Sequence, residues 1–436
     1  MIKLKTHALT ATLAITCAAA LPQAAFAATE AQKQAAIDSG LAWLASQQSA
    51  NGSWCQSGYC AADTAAALLA FTEQKYKPLG WNDPGNPNKY AANVTNAINY
   101  ILKGAGTVAI SNDRGDGNNA NISGSGVGYV WGGGEATYVT GLVLPALSRV
   151  TAGINGITPT TVISGTGNAA VDGKTYQQVI QDTVATFANG QTLAGTQYRG
   201  GWRYYPSQGL SDGSTAQWPA IGMLFAEQVP GVTVPGFVKS ELTYWMDYIQ
   251  CGNGGVGYDS PCGGGAPVSE SKTGGMLVQA AFTGYDGYKP GDALGTNEAL
   301  AYLNANWQNG ASGWDGNFGQ PYSMWSVYKG LESTIGLTNT TSITNLHPQG
   351  GALLDAGDTW NWYEDYSEYL VASQNMGDGS WPGFFYWPQD LATAWNINIL
   401  NATQVGPPNP APEPGTVVLF GLALAVLAAS RGRKVR

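Results

Sequence analysis

The chain has 436 residues, including 59 Gly, 15 Trp and 22 Tyr, and a formal net charge of −9. Its ends, residues 1–27 and 415–436, hold six of the 20 basic residues (Lys3, Lys5, Arg431, Arg433, Lys434, Arg436) and none of the 29 acidic ones, so the stretch between them carries a net charge of −15. That balance argues against nucleic acid or an anionic lipid surface as a partner and suits a soluble extracellular domain.

Residues 1–27 place Lys3 and Lys5 before an apolar run from Ala8 to Leu21 and finish on Ala25-Phe26-Ala27. This is the pattern of a secretory signal peptide cut after Ala27. Cys17 follows Ile15-Thr16 rather than the small residue that a lipoprotein signal needs. Residues 28–405 then form the folded domain.

Within that domain one phrase is written twice. Residues 40–54 read GLAWLASQQSANGSW and residues 363–381 read YEDYSEYLVASQNMGDGSW, each an amphipathic helix ending Ala-Ser-Gln before a Gly-Ser-Trp loop. Four further Gly-aromatic loops lie between them, giving anchors at Trp54, Trp131, Trp202, Tyr258, Trp314 and Trp381, spaced 77, 71, 56, 56 and 67 residues apart. After each anchor comes a stretch with helical apolar spacing: residues 64–71, 137–147, 215–227, 273–282, 322–331 and 392–400. The unit is helix, loop, helix. Six such pairs, each with apolar faces on both members, bury those faces by closing into a ring, so the expected fold is all-α, an α/α toroid of about six helix-pair repeats with loop insertions.

Two stretches read as insertions. Residues 104–126 are rich in Gly, Asn and Ser, and their Asn112-Asp113-Arg114-Gly115-Asp116-Gly117-Asn118 run lacks the ligand spacing and closing Glu of an EF-hand. Residues 151–174 contain a Thr-Val-Ile-Ser run that reads as a short hairpin. Four cysteines remain after signal removal, and in an exported protein the local pairs Cys55 with Cys60 and Cys251 with Cys262 are expected as disulfides. No metal site or cofactor is expected, since His347, followed by Pro348, is the only histidine left in the mature chain.

The chain closes with a Pro-rich linker at residues 406–414, ending Pro412-Glu413-Pro414, an apolar segment at 415–430 and a basic tail at 431–436. The apolar run falls short of the roughly 20 residues that span a bilayer comfortably, and the basic tail sets a cytoplasmic C-terminus, so it reads as a single, temporary transmembrane anchor. This order of parts resembles the PEP-CTERM sorting signal. The resemblance implies cutting near Pro412-Glu413-Pro414 by an exosortase-type processing protease. It also implies export across the inner membrane of a Gram-negative bacterium, transient anchoring, and release to the cell surface or extracellular matrix.

Residues 40–54, with Gln47 or Gln48 ahead of Gly52 and Trp54, resemble the QW motif of terpenoid cyclases, and Gln374 with Gly379-Ser380-Trp381 matches it again. The region from Thr29 to Gln404 thus resembles the prenyltransferase and squalene-oxidase repeat superfamily. In that motif the Gln and Trp tie neighbouring helices together. The resemblance implies the fold more than the chemistry: the Asp-x-Asp-Asp cluster of the cyclases, the Asp, Cys and His zinc set of the protein prenyltransferases and the Gly-Cys-x-Glu-Gln of thioester domains are all missing from the sequence.

What the sequence leaves is the mouth of the ring, where the first turns of the inner helices open at one end. Acidic residues gather there (Asp63, Glu135, Asp212, Glu270 and Asp390), which also suit helix N-termini as caps. Tyr138, Trp218, Tyr322, Trp325, Tyr328 and Trp395 fall within two turns of the same ends. Aromatic faces stack on sugar rings and carboxylates accept hydroxyl hydrogen bonds, so Tyr138, Trp218, Trp325, Tyr328, Trp395 and Asp63 are the expected binding residues for a neutral glycan or another envelope ligand. Two functions stay open: a non-enzymatic envelope protein that binds a ligand at this mouth, and a glycan-active hydrolase or lyase using Asp212 with Glu135 or Asp390. A terpenoid cyclase ranks behind both, for want of its acid cluster.

Overall fold

The computed structural model describes residues 28–76, 88–152, 156–263, 267–285, 295–348 and 359–404. The signal peptide, linker, membrane segment and basic tail expected at residues 1–27 and 406–436 lie outside the described residues. Among the described residues no helix is long and apolar enough to cross a membrane.

The class is all-α. The helices are α1 (Glu30–Gln47), α2 (Cys60–Glu73), α3 (Ala91–Lys103), α4 (Ala136–Val150), α5 (Tyr176–Gly190) and α6 (Gln217–Ala226), followed by α7 (Gly236–Ile249), α8 (Glu270–Thr283), α9 (Thr296–Ala305), α10 (Pro321–Thr334), α11 (Trp362–Ser373) and α12 (Gln389–Leu400). A single antiparallel strand pair joins β1 (Gly106–Ala109) to β2 (Val127–Val130), with Gly106 opposite Val130. The hairpin thus brackets the first insertion. In the second insertion, where the Thr-Val-Ile-Ser run suggests a hairpin, only an isolated bridge from Val162 to Thr175 forms.

Composition sorts the helices into two kinds. In α12 eleven of twelve residues are buried, the polar Asp390, Thr393, Asn396 and Asn398 among them, so the helix is covered on every side. In α1 only seven of 18 are buried, along one stripe, and a capping box between Thr29 and Gln32 opens the helix. The same contrast separates α8 from α7. The even-numbered helices are the inner set and the odd-numbered helices the outer, although α5, packed against β2, also buries twelve of its 15 residues. The inner helices touch in cyclic order, α2 on α4, α4 on α6, α6 on α8, α8 on α10, α10 on α12 and α12 on α2.

A repeated polar brace explains why the units join. Trp54, Trp131, Trp202 and Trp381 are buried, and each indole N–H donates to a carbonyl near the end of the preceding outer helix: Leu44, Ile101, Phe187 and Leu370, at 2.7–2.9 Å. A threonine of the next inner helix ties down the same loop. Thr64, Thr140 and Thr393 accept from the anchor's backbone N–H, and Thr215 donates to the Trp202 carbonyl. The glutamine spends its two amide hydrogens on different units. Gln48 donates to Gly52 and to Asn93 of α3, Gln191 to Gly200 and Val238 of α7, and Gln250 to Gly254 and Gly295 ahead of α9. Gln374 donates to Gly379 and to Ala36 of α1, so the last unit is braced to the first. Gln48, rather than Gln47, holds this place in the first unit; Gln47 donates to Ser46.

The glycine beside each brace is dictated by contact. Gly52, Gly200, Gly254 and Gly379 have φ of +84° to +92°. A Cβ there would fall 1.8–2.7 Å from the carbonyl oxygen of Asn96, Glu241, Glu298 or Ser39, each on the next outer helix. Only glycine allows both the left-handed turn and the close approach.

The bracing corrects two anchors. In the fourth unit the buried residue whose N–H reaches the threonine is Val256, bonded to Thr273, and Tyr258 lies two residues further on, half-buried. In the fifth unit Phe318 is the buried aromatic and Trp314 is 54% exposed. Spacing alone could not separate these, because each loop holds two large apolar residues near its glycines. Both expected disulfides are present, Cys55 to Cys60 and Cys251 to Cys262, closing short loops beside the braces.

Candidate functional site

The first turns of all six inner helices converge on one cavity of about 570 Å³. Ala62 of α2, Tyr138 of α4, Trp218 of α6, Lys272 of α8, Tyr322 of α10 and Trp395 of α12 each contribute to its wall. The aromatic rings pack as a continuous lining. Trp218 stacks against Trp395 with centroids 6.1 Å apart and lies 5.8 Å from Tyr322, and Tyr322 stacks on Trp387 at 5.0 Å. Tyr138 stacks on Tyr204 at 5.9 Å. The polar tips of these tyrosines are tied down: Tyr138 bonds Ser214 at 2.7 Å, Tyr322 donates to the Ser214 carbonyl at 2.8 Å, and the Tyr204 and Tyr258 hydroxyls bond each other. Burial pushes all four phenols above their ordinary range, so they remain neutral donors and acceptors at any physiological pH.

The rim is aromatic as well. Residues 384–387 form a tight reverse turn, with the Phe384 and Trp387 backbones exchanging hydrogen bonds at 2.8 and 3.0 Å and Phe385 at φ +56°. A non-glycine residue in the left-handed region is strained and worth a functional question. The turn holds Phe385 and Tyr386 outward, 58% and 66% exposed, where Tyr386 stacks on Trp314 at 4.9 Å. These rings have no core to fill.

The five acidic residues expected at the mouth separate into two groups. Asp63 is buried and accepts from the Ser57 N–H and hydroxyl at 2.9 and 2.7 Å; Asp390 accepts from the Gln56 N–H at 3.0 Å. Both thus hold the Cys55–Cys60 loop. Burial and the charge of Asp390 push Asp63 up to about 7, and burial raises Asp390 too, so the pair holds on to a proton near neutrality. Glu270 accepts from Asn309 at 2.7 Å and from the Gly316 N–H at 3.2 Å, holding the Trp314 loop, and burial and Asp315 push it up to about 7. Asp212 accepts from Ser214 and Thr215, has Arg203 at 3.9 Å, and is raised by burial. Glu135, on a 3-10 turn (Gly133–Glu135), is the one of the five that lines the cavity. It is half-buried, and burial and Asp212 raise it.

Of the expected binding residues, Tyr138, Trp218 and Trp395 line the cavity together, whereas Asp63 holds a loop beside it. Trp325 and Tyr328 lie further along α10, where Trp325 stacks on Tyr328 and the Tyr328 hydroxyl donates to the Thr403 carbonyl. Lys272 was not legible as a site residue, yet it lines the cavity with only 4% of its surface exposed. Its signal was positional: a lysine in the first turn of an inner helix opposes the helix dipole. The run Phe384-Phe385-Tyr386-Trp387 between Gly383 and Pro388 was a second unused signal.

At the opposite end of the inner helices the structure is filled. Glu73, the last residue of α2, pairs with Arg149 near the end of α4 at 2.6 Å, and Lys329 of α10 pairs with Glu332 at 2.8 Å. Arg149 also donates to the Gln404 carbonyl and Lys329 to that of Thr403 at 3.0 Å. The chain therefore leaves the described domain at the end away from the cavity.

Comparison with curated proteins gives no significant match. The C-terminal residues 410–434 match the PEP-CTERM protein-sorting motif, which implies recognition by an exosortase, export, and membrane-anchored transit to the cell envelope.

Proposed function

We propose that the protein is an exosortase-processed component of the cell envelope or extracellular matrix of a Gram-negative bacterium, whose twelve helices close into an α/α toroid and whose mouth binds a glycan. The cyclic order of inner-helix contacts and the brace from Gln374 to Ala36 support the toroid. The Gln-Gly-Trp bracing supports its kinship with the prenyltransferase and squalene-oxidase repeats. The observation that carries the binding role is the cavity itself, with aromatic walls, tethered tyrosine hydroxyls and an exposed aromatic rim at Trp314 and Tyr386. Apolar faces with fixed polar edges are what a sugar ring requires.

A binding role fits the acids better than two-carboxylate hydrolysis does. Asp63, Glu270 and Asp390 are spent on backbone N–H groups of the loops, and Asp212, held through one oxygen by Ser214 and Thr215, is fully buried, which leaves Glu135 as the carboxylate at the cavity wall. Hydrolysis needs two carboxyl groups flanking the bond. Because Gln404 is held at the far end, the linker would leave from there and the mouth would face away from the membrane during transit.

The test is titration of the purified domain with a panel of oligosaccharides, followed by tryptophan fluorescence. Saturable binding that weakens in Trp314→Ala and Tyr386→Ala is expected. No response to any sugar would overturn the binding role. For processing, replacing Glu413 and Pro414 should leave the tail attached, and an unchanged mass of the surface form would overturn that step.

A further inference from the structure

We infer that the ligand carries a single negative charge and that Lys272 is its contact, which makes the glycan an acidic one; this rests on the reading of the cavity as a glycan site. Lys272 is buried on α8 and lines the cavity, and its ammonium makes one hydrogen bond, to the Ser269 hydroxyl at 2.6 Å. A lysine has three N–H donors, so two are left over. Among the described residues no carboxylate lies within ion-pair distance of it, although Asp212, Glu270 and Asp315 act on it through space.

Those three acids are not free to move in. Asp212 is held by Ser214 and Thr215, Glu270 by Asn309 and the Gly316 N–H, and Asp315 by the same Gly316 N–H at 2.9 Å. They sustain a positive charge on Lys272 without touching it. Burial brings the ammonium down to about 8, so it stays mostly charged at neutral pH. A dehydrated charge without a contact counter-ion is costly, and a protein that retains one beside an open cavity has left the counter-ion to the ligand. A carboxylate or sulfate ester on a sugar supplies one negative charge and accepts the two unused donors as charge-assisted hydrogen bonds. The rings of Trp218, Tyr322 and Trp395 then cover the apolar face of the same sugar.

The domain's net charge opposes this ligand at long range, but that repulsion is screened beyond about 10 Å in 0.1 M salt, while a buried contact is screened far less. Measurement therefore belongs at physiological salt or above.

The experiment titrates the domain with a neutral tetrasaccharide, the same sugar carrying one uronate carboxylate and the same sugar carrying one sulfate ester, and repeats the series in Lys272→Met. Native protein should prefer one charged sugar by about ten-fold or more over the neutral one, and the carboxylate and sulfate arms say which group is taken. Lys272→Met should erase that preference and melt no lower than the native protein. Equal binding of charged and neutral sugars overturns the inference and leaves the glycan site standing. A preference that survives in Lys272→Met overturns Lys272 as the contact. Binding of none of the three overturns both. If Lys272→Met fails to fold, the native-protein arms still decide the charge preference, and Lys272→Gln takes its place as the test of the contact.

Discussion

The two ends of the inner helices are built from similar residue types and put to opposite use. At the C-terminal end, Glu73, Arg149 and Lys329 are buried and Glu332 is half-buried, each with an opposite charge in contact, and the carbonyls of Thr403 and Gln404 take up further donors. At the N-terminal end, Lys272 and Glu135 stand at a cavity without such a partner, among aromatic rings. A buried charge paired in contact is a structural element, whereas one left unpaired beside open volume is available to something else. The difference separates a closed floor from an open mouth by charge pairing alone.

Among single substitutions the largest effect should come from the floor. Arg149→Met strands the Glu73 carboxylate and releases Gln404, and should cost about 3–5 kcal/mol in urea unfolding with ligand affinity at the mouth unchanged. A loss of affinity in the folded variant would break the separation of the two ends. Acidity should act next, through the mouth. Asp63 and Glu270 have folded values of about 7, above the unfolded carboxyl range, so the folded state binds more protons. Stability from these groups is complete below about pH 4 and lost as pH rises toward 7, on the order of 1 kcal/mol per pH unit for each proton involved. Melting scans from pH 4.5 to 8 should fall, and Glu270→Gln should flatten part of the slope.

Smaller again is the Cys55–Cys60 bridge over the Asp63 loop. The double substitution Cys55→Ala with Cys60→Ala should cost about 2 kcal/mol, as expected for a short closed loop, read by thermal unfolding. The smallest stability effect belongs to the rim. Trp314→Ala and Tyr386→Ala remove exposed rings and should stay within about 0.5 kcal/mol of the native protein. Each should nonetheless weaken glycan binding about two- to ten-fold, the worth of an aromatic contact. Unchanged affinity in both would remove the rim from the site.

The helices were legible because burial writes itself into sequence. Residues 137–147 and 392–400 are mostly apolar at helical spacing, and they became α4 and α12, buried nearly throughout. The brace was legible at Gln374 and Trp381, where glutamine, glycine and tryptophan stand at fixed spacing. It failed at Tyr258 and Trp314, where the loop offers two large residues and only the hydrogen bond from Val256 to Thr273, or the burial of Phe318, tells which one turns inward.

The amino-acid order by itself determined the helical class, the six-fold recurrence, the two disulfide pairs and the sorting signal at the C-terminus, because these depend on local spacing and composition. The tertiary structure alone decided what the polar residues do. Asp63, Asp212, Glu270 and Asp390 look from sequence like a ring of free acids, and packing spends them on loop backbones. Lys272 looks like one lysine among many until α8 places it, nearly fully buried, at the cavity wall with no contact counter-ion among the described residues. Whether a charge is paired depends on residues far away in sequence, as Arg149 depends on Glu73, and no local pattern carries that information.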